Sequence, residues 1–123
     1  MHRVAFLLFG LLSLAPLTRA GEPLEISMVQ LLANPDKFDG KRIRVIGFLR
    51  LEFEGKALFL HKEDFRESIF KNAVWVDVLG NALQMKQSGH YVVAEGTFDA
   101  KDHGHLDAFS GCIKKVTVLT AFK

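Results

Sequence analysis

The residues best suited to chemistry crowd one stretch: Asp99, Lys101, Asp102, His103, Gly104, His105 and Asp107, with Cys112 a few positions on. In an extended loop a His-Gly-His triplet would set two imidazoles on one side. Neighbouring carboxylates and a thiolate would then complete a shell for Zn²⁺ or another transition metal such as Cu²⁺. The candidate ligands are His103, His105, Asp102, Asp107 and Cys112. The segment lacks the paired cysteines or helical His-x-x-x-His spacing that make a metal motif strong. A solvated hairpin loop built of ordinary turn residues is therefore the preferred reading.

Catalytic patterns are sparse elsewhere. Ser110 and Cys112 are the only nucleophiles near His103 and His105, and no nucleophile-elbow pattern accompanies them. Glu52 and Glu54 stand at i and i+2, so on a strand they share a face, where they would pair as acid and base or simply meet solvent. The glycine spacing of a phosphate loop is missing, which disfavours nucleotide hydrolysis. A non-enzymatic role is preferred.

Binding offers another route. Arg42, Arg44 and Arg50 share one strand parity and make a small basic stripe, for which a solvated sheet face is the competing explanation. His61 closes the following strand and would face the same groove as the 99–109 loop. Of the 11 Phe, one Trp and one Tyr, alternation assigns Phe48, Phe59, Trp75 and Phe98 to the core. The candidate ligand-binding residues are Arg42, Arg44, His61, Asp99, His103 and His105.

These groups need a scaffold, and the apolar pattern supplies one. Ser27 caps a short amphipathic helix over 28–33 that Asn34-Pro35 stops. Residues 41–54 read as a long first strand, kinked or bulged at Gly47. Glu54-Gly55-Lys56 is a hairpin signal and 57–61 the returning strand. Residues 62–70 are polar with scattered aromatics, a loop or one helical turn. A third strand follows at 73–78, a short helix within 80–89, a fourth strand at 90–99 bending at Gly96, and a fifth at 109–119 broken by Gly111.

Address and size come from the first twenty residues. His2 and Arg3 give a basic start, Val4 to Leu14 is almost wholly apolar, Pro16 breaks the run, and Thr18-Arg19-Ala20 offers small residues where a signal peptidase cuts. Residues 1–20 are read as a signal peptide and 21–123 as one domain, periplasmic or secreted. The apolar run is roughly half the 20 residues a membrane span needs, so no span is expected after cleavage. Arg3 and Arg19 account for the whole excess of 16 basic over 14 acidic residues. The remainder is formally neutral, which disfavours non-specific nucleic-acid binding. A single cysteine excludes an intramolecular disulfide, so packing alone must hold the fold.

The order helix, three strands, helix, two strands is that of an OB-fold. The segment Gly40-Lys41-Arg42-Ile43-Arg44-Val45-Ile46-Gly47-Phe48-Leu49 resembles the first strand of small bacterial OB-fold modules, and Tyr91-Val92-Val93-Ala94-Glu95-Gly96-Thr97-Phe98 their fourth. The chain is also similar to short, exported, uncharacterised bacterial proteins that share Gly-Phe-Leu, Phe-Glu-Gly and Gly-Thr-Phe-Asp. The resemblance implies a mainly β fold, a five-stranded OB-like antiparallel barrel with a short N-terminal helix and a short helix between strands three and four. It implies an address and no catalytic residue. The expected function is non-catalytic recognition of an envelope protein, oligosaccharide or other ligand on the barrel face and the 99–109 loop, without a cofactor. The alternative is a metal-binding protein or metal-dependent enzyme using His103 and His105. An exposed strand edge that pairs with a partner chain is a third option.

Overall fold

The computed structural model describes residues 22–123. The expected signal peptide, residues 1–20, lies outside the described residues. Six strands form one mixed sheet: β1 (Leu24–Glu25), β2 (Arg42–Glu52), β3 (Gly55–Phe59), β4 (Ala73–Val76), β5 (Tyr91–Asp99) and β6 (Cys112–Ala121). Three short helices punctuate it, α1 (Met28–Ala33), α2 (Lys62–Arg66) and α3 (Ala82–Met85). None of the described helices is long and apolar enough to cross a membrane.

The sequence reasons for these elements are local. Ser27 and Gln30 satisfy each other's backbone N–H groups at the start of α1, which then buries Met28 and Leu31. Alternation along β2 points Ile43, Val45, Leu49 and Leu51 inward, where they meet Leu58, Val74, Val76, Val92, Phe98 and Ile113 in the main core. Phe98 takes the core place that its parity predicts.

The ladders run β2 to β3, β4, β6 and β5, and β5 pairs back on β2, so hydrogen bonds close a ring. Two features of the expected sheet are corrected. There are six strands rather than five, because Leu24–Glu25 lies parallel against Ile43 and Arg44. The sheet is mixed rather than antiparallel, because strands in a ring of five cannot alternate direction all the way round. One neighbouring pair must run parallel, and it is β4 with β6.

Gly47 carries no bulge, since the β2–β5 register continues unbroken from Arg42 to Phe48. It sits where β2 exchanges one partner for another: Phe48 pairs with both Tyr91 and Phe59. A Cβ at this position would come within 2.7 Å of Leu58 Cγ and 2.9 Å of the Phe59 carbonyl oxygen. Close approach of the crossing strand, not local kinking, is what requires glycine here. The register shift does fall beside Gly96, between Glu95 and Thr97. Gly111 precedes β6 rather than interrupting it.

Candidate functional site

Strands β3 and β4 are buried on both faces. Outside the ring, Phe48, Ala57, Phe59, Ala73 and Phe109 form a second apolar cluster with Phe65, Trp75 and Ala108 packed on it. Phe48 and Phe59 are thus buried as alternation suggests, but on the outer side, and Trp75 joins them half-buried. The cover comes from the connections 60–72 and 100–111. Phe65 lies 5.5 Å from Phe59 edge-on, and Phe109 lies 5.3 Å from Phe70 and 5.4 Å from Trp75. Buried Asp64 fixes the first connection, accepting from the His61 N–H and the Asn72 side-chain amide at 3.0 Å each.

Between these covers a cleft of about 270 Å³ opens, walled by the β2–β3 hairpin, the rings of Phe59, Phe65, Phe70 and Phe109, and His105 with Leu106. Its two rims are apolar and project into solvent: Phe53 is 92% exposed and Leu106 83%. Glu54, Leu106 and Asp107 adopt positive φ angles of 61°, 57° and 57°, so both loop tips hold conformations that L-residues adopt at some strain. His105 Nε2 stands 3.6 Å from Glu54 Oε2 and ties one rim to the other. Its ring stacks obliquely on Trp75 at 6.3 Å.

The polar loop resolves into separate arrangements. Asp99 and Asp102 share Lys114, whose Nζ lies 2.9 and 3.0 Å from them. The Lys114 hydrogen bond holds the Asp99 carboxyl below its ordinary range. For Asp102 the Gly104 N–H does so first and Lys114 second. The same two carboxylates push the Lys114 ammonium upward. His103 uses Nε2 on the Ala100 carbonyl at 3.1 Å and sets Nδ1 3.2 Å from Asp107, whereas His105 engages Glu54. Cys112 is fully buried, and desolvation pushes its thiol up to about 12. Of the five candidate metal ligands, His103 and Asp107 meet, whereas Asp102, His105 and Cys112 have other neighbours. Among the described residues, no three such side chains converge as a metal shell.

Arg44 and His61 lie together elsewhere, although the sequence groups Arg44 with Arg42 and Arg50 and His61 with the polar loop. Both line a groove of about 800 Å³ between the N-terminal segment and the outer faces of β2, β5 and β6. Arg44 donates Nε to Glu95 Oε2 at 2.7 Å, with Nη2 2.6 Å from the same oxygen. Arg42 Nη2 donates to Thr117 Oγ1 at 2.7 Å and stands 3.8 Å from Glu95 Oε1. Arg50 leaves this group, lying 4.7 Å over the Phe65 ring and 2.7 Å from Glu52.

Glu95, Phe65 and Phe70 line the groove and the cleft but are not among the candidate site residues that the sequence suggests. Glu95 carries a signal, a lone acid in an apolar strand, but only the register opposite Arg44 gives it meaning. Comparison with protein-family models, curated proteins and solved structures yields no match for the chain.

Proposed function

We propose that the chain is an exported OB-like barrel, formed by β2 to β6 with β1 added at its side, whose role is non-catalytic ligand binding at the aromatic cleft. The ring order, its single parallel pair and the placing of α3 between β4 and β5 support the OB reading. In such a barrel the second and third ring strands, with the first hairpin and the last connection, make the binding face. The aromatic cleft occupies the corresponding position here.

The observation that carries the reading is the cleft's composition. Four phenylalanine rings and two exposed apolar rims surround Glu52, Glu54, Ser68 and His105, with no Lys or Arg among the lining residues. Such a wall repels polyphosphate and suits a ligand that is flat, apolar on its faces and rich in hydroxyl donors. An oligosaccharide meets that description, and the address implied by residues 1–20 supplies envelope glycans.

Trp75, the only tryptophan, reports on the cleft through His105 and Phe109. Titrating the protein with soluble oligosaccharides, peptidoglycan fragments included, is expected to change its fluorescence saturably. Phe53→Ala and Leu106→Ala, both at exposed positions, should weaken that response roughly tenfold without lowering stability. Unaltered affinity in both variants would remove the cleft from the proposal. N-terminal sequencing of exported protein beginning at Gly21 tests the address.

A further inference from the structure

The larger groove also lies outside the ring, but it shares no lining residue with the aromatic cleft, and its chemistry is different. We propose that it binds a single-chain amphiphile, an apolar tail carrying one carboxylate head, with the head on Arg44.

Its size falls in the range of small-molecule pockets, about 300–1,000 Å³. Its walls keep apolar surface in water: Val29 is 60% exposed, Phe122 45%, Ile46 42% and Tyr91 40%. A tail laid across Ile46, Val93 and Phe122 would remove that surface from solvent, which is the driving force for such binding.

The guanidinium of Arg44 decides the head. Nε and the adjacent proton of Nη2 are committed to Glu95 Oε2, while among the described residues Nη1 faces Glu25 at 4.0 Å, beyond hydrogen-bond length. The Glu25 side chain is 78% exposed, so a ligand carboxylate can displace it and accept in parallel from Nη1 and from the outward proton of Nη2. Charge around the groove favours an anion. Glu95 is already neutralised by Arg44 and assisted by Arg42. Lys123 Nζ lies 5.6 Å over the Phe122 ring, and Lys62, whose backbone N–H donates to Tyr91 Oη, follows His61 at the rim. A cationic head would find one exposed carboxylate, Glu25, among these positive groups.

The test is calorimetric titration of the purified protein with sodium dodecanoate below its micelle concentration, beside dodecyl maltoside and dodecyltrimethylammonium. Saturable one-to-one binding of dodecanoate is expected, at least roughly tenfold tighter than either analogue. Arg44→Gln should weaken it roughly tenfold, and Glu25→Gln should tighten it by about threefold because the competing carboxylate is gone. Ile46→Glu should abolish it. Arg44→Gln uncovers buried Glu95, so a loss of stability there transfers the decision to Glu25→Gln and Ile46→Glu, both at exposed positions. Equal binding of all three amphiphiles overturns the proposal. So does affinity unchanged in both exposed variants, binding to anionic phospholipid vesicles with none to free dodecanoate, or self-association that buries the groove.

Discussion

Replacing Gly104 by alanine should lower stability by about 2–6 kcal/mol, and the figure can be built from two sources. The first is backbone: at φ 68° and ψ −159° Gly104 occupies a region nearly closed to L-residues, where occupancy costs of order 1–3 kcal/mol. The second is overlap: a Cβ would sit 2.7 Å from Trp75 Cβ and 2.9 Å from Trp75 Cγ, and such overpacking costs about 1–3 kcal/mol. Trp75 cannot easily retreat, because its backbone N–H donates to the Gly111 carbonyl at 2.8 Å and its ring abuts Phe109 at 5.4 Å. Gly40→Ala is the control. It has a positive φ of 78° with nothing within 4 Å of the added carbon, so it carries the backbone cost alone, roughly 1–2 kcal/mol. Urea unfolding of both variants, followed by circular dichroism and by Trp75 fluorescence, separates the sources. If Gly104→Ala proves no more destabilising than Gly40→Ala, Gly104 is not wedged on Trp75, and the 104–109 segment is no fixed wall of the cleft.

Three further outcomes are expected. Phe98→Ala and Phe48→Ala, 1% and 4% exposed, should each cost about 3–5 kcal/mol in urea unfolding, whereas Phe53→Ala should stay within about 0.5 kcal/mol; a mild Phe48→Ala would mean that the outer cluster is loosely packed. Asp99 and Asp102 titrate below their ordinary value of 3.8 when folded, so the stability they contribute is present above that value and lost as pH falls through the lower folded values. Thermal melting should therefore steepen its decline below about pH 4, and Lys114→Gln should flatten that acid limb; an unchanged limb would remove Lys114 as the cause. Cys112, with its thiol pushed up to about 12, should resist a thiol-reactive disulfide reagent at neutral pH until urea exposes it, and equal rates in native and unfolded protein would contradict its burial.

Alternation and turn chemistry locate most elements of this chain to within a few residues. The long β2, the Ser27 cap and the register shift beside Gly96 are all legible because each depends on neighbours in sequence. The side on which a ring becomes buried is not. Phe59 and Leu58 are both inaccessible, since the returning strand is covered inside by the core and outside by Phe65. A period-two pattern identifies buried faces, but not two separate cores. Residues 62–70 look like polar loop because their apolar members are widely spaced, yet they carry the rings that build the cleft. Arg44 and His61 belong to different groupings in sequence, the arginine stripe and the polar loop, and only the folded ring puts them in one groove. The acid that orients Arg44 lies 51 positions away, and only pairing across the ring brings it near.

The parallel contact between β4 and β6 also bears on how the chain folds in time. The ladders joining β2, β3 and β4 link segments close in sequence and can form early, as hairpins do. The last strand supplies two of the five ladders that complete the ring, against β5 and against β4. Loop closure over that distance is entropically expensive and must precede its reward. During synthesis the native ring therefore cannot form until Cys112–Ala121 has left the ribosome. Until then the nascent chain remains open, with β5 and the outer edge of β4 unpaired along the faces that β6 will fill.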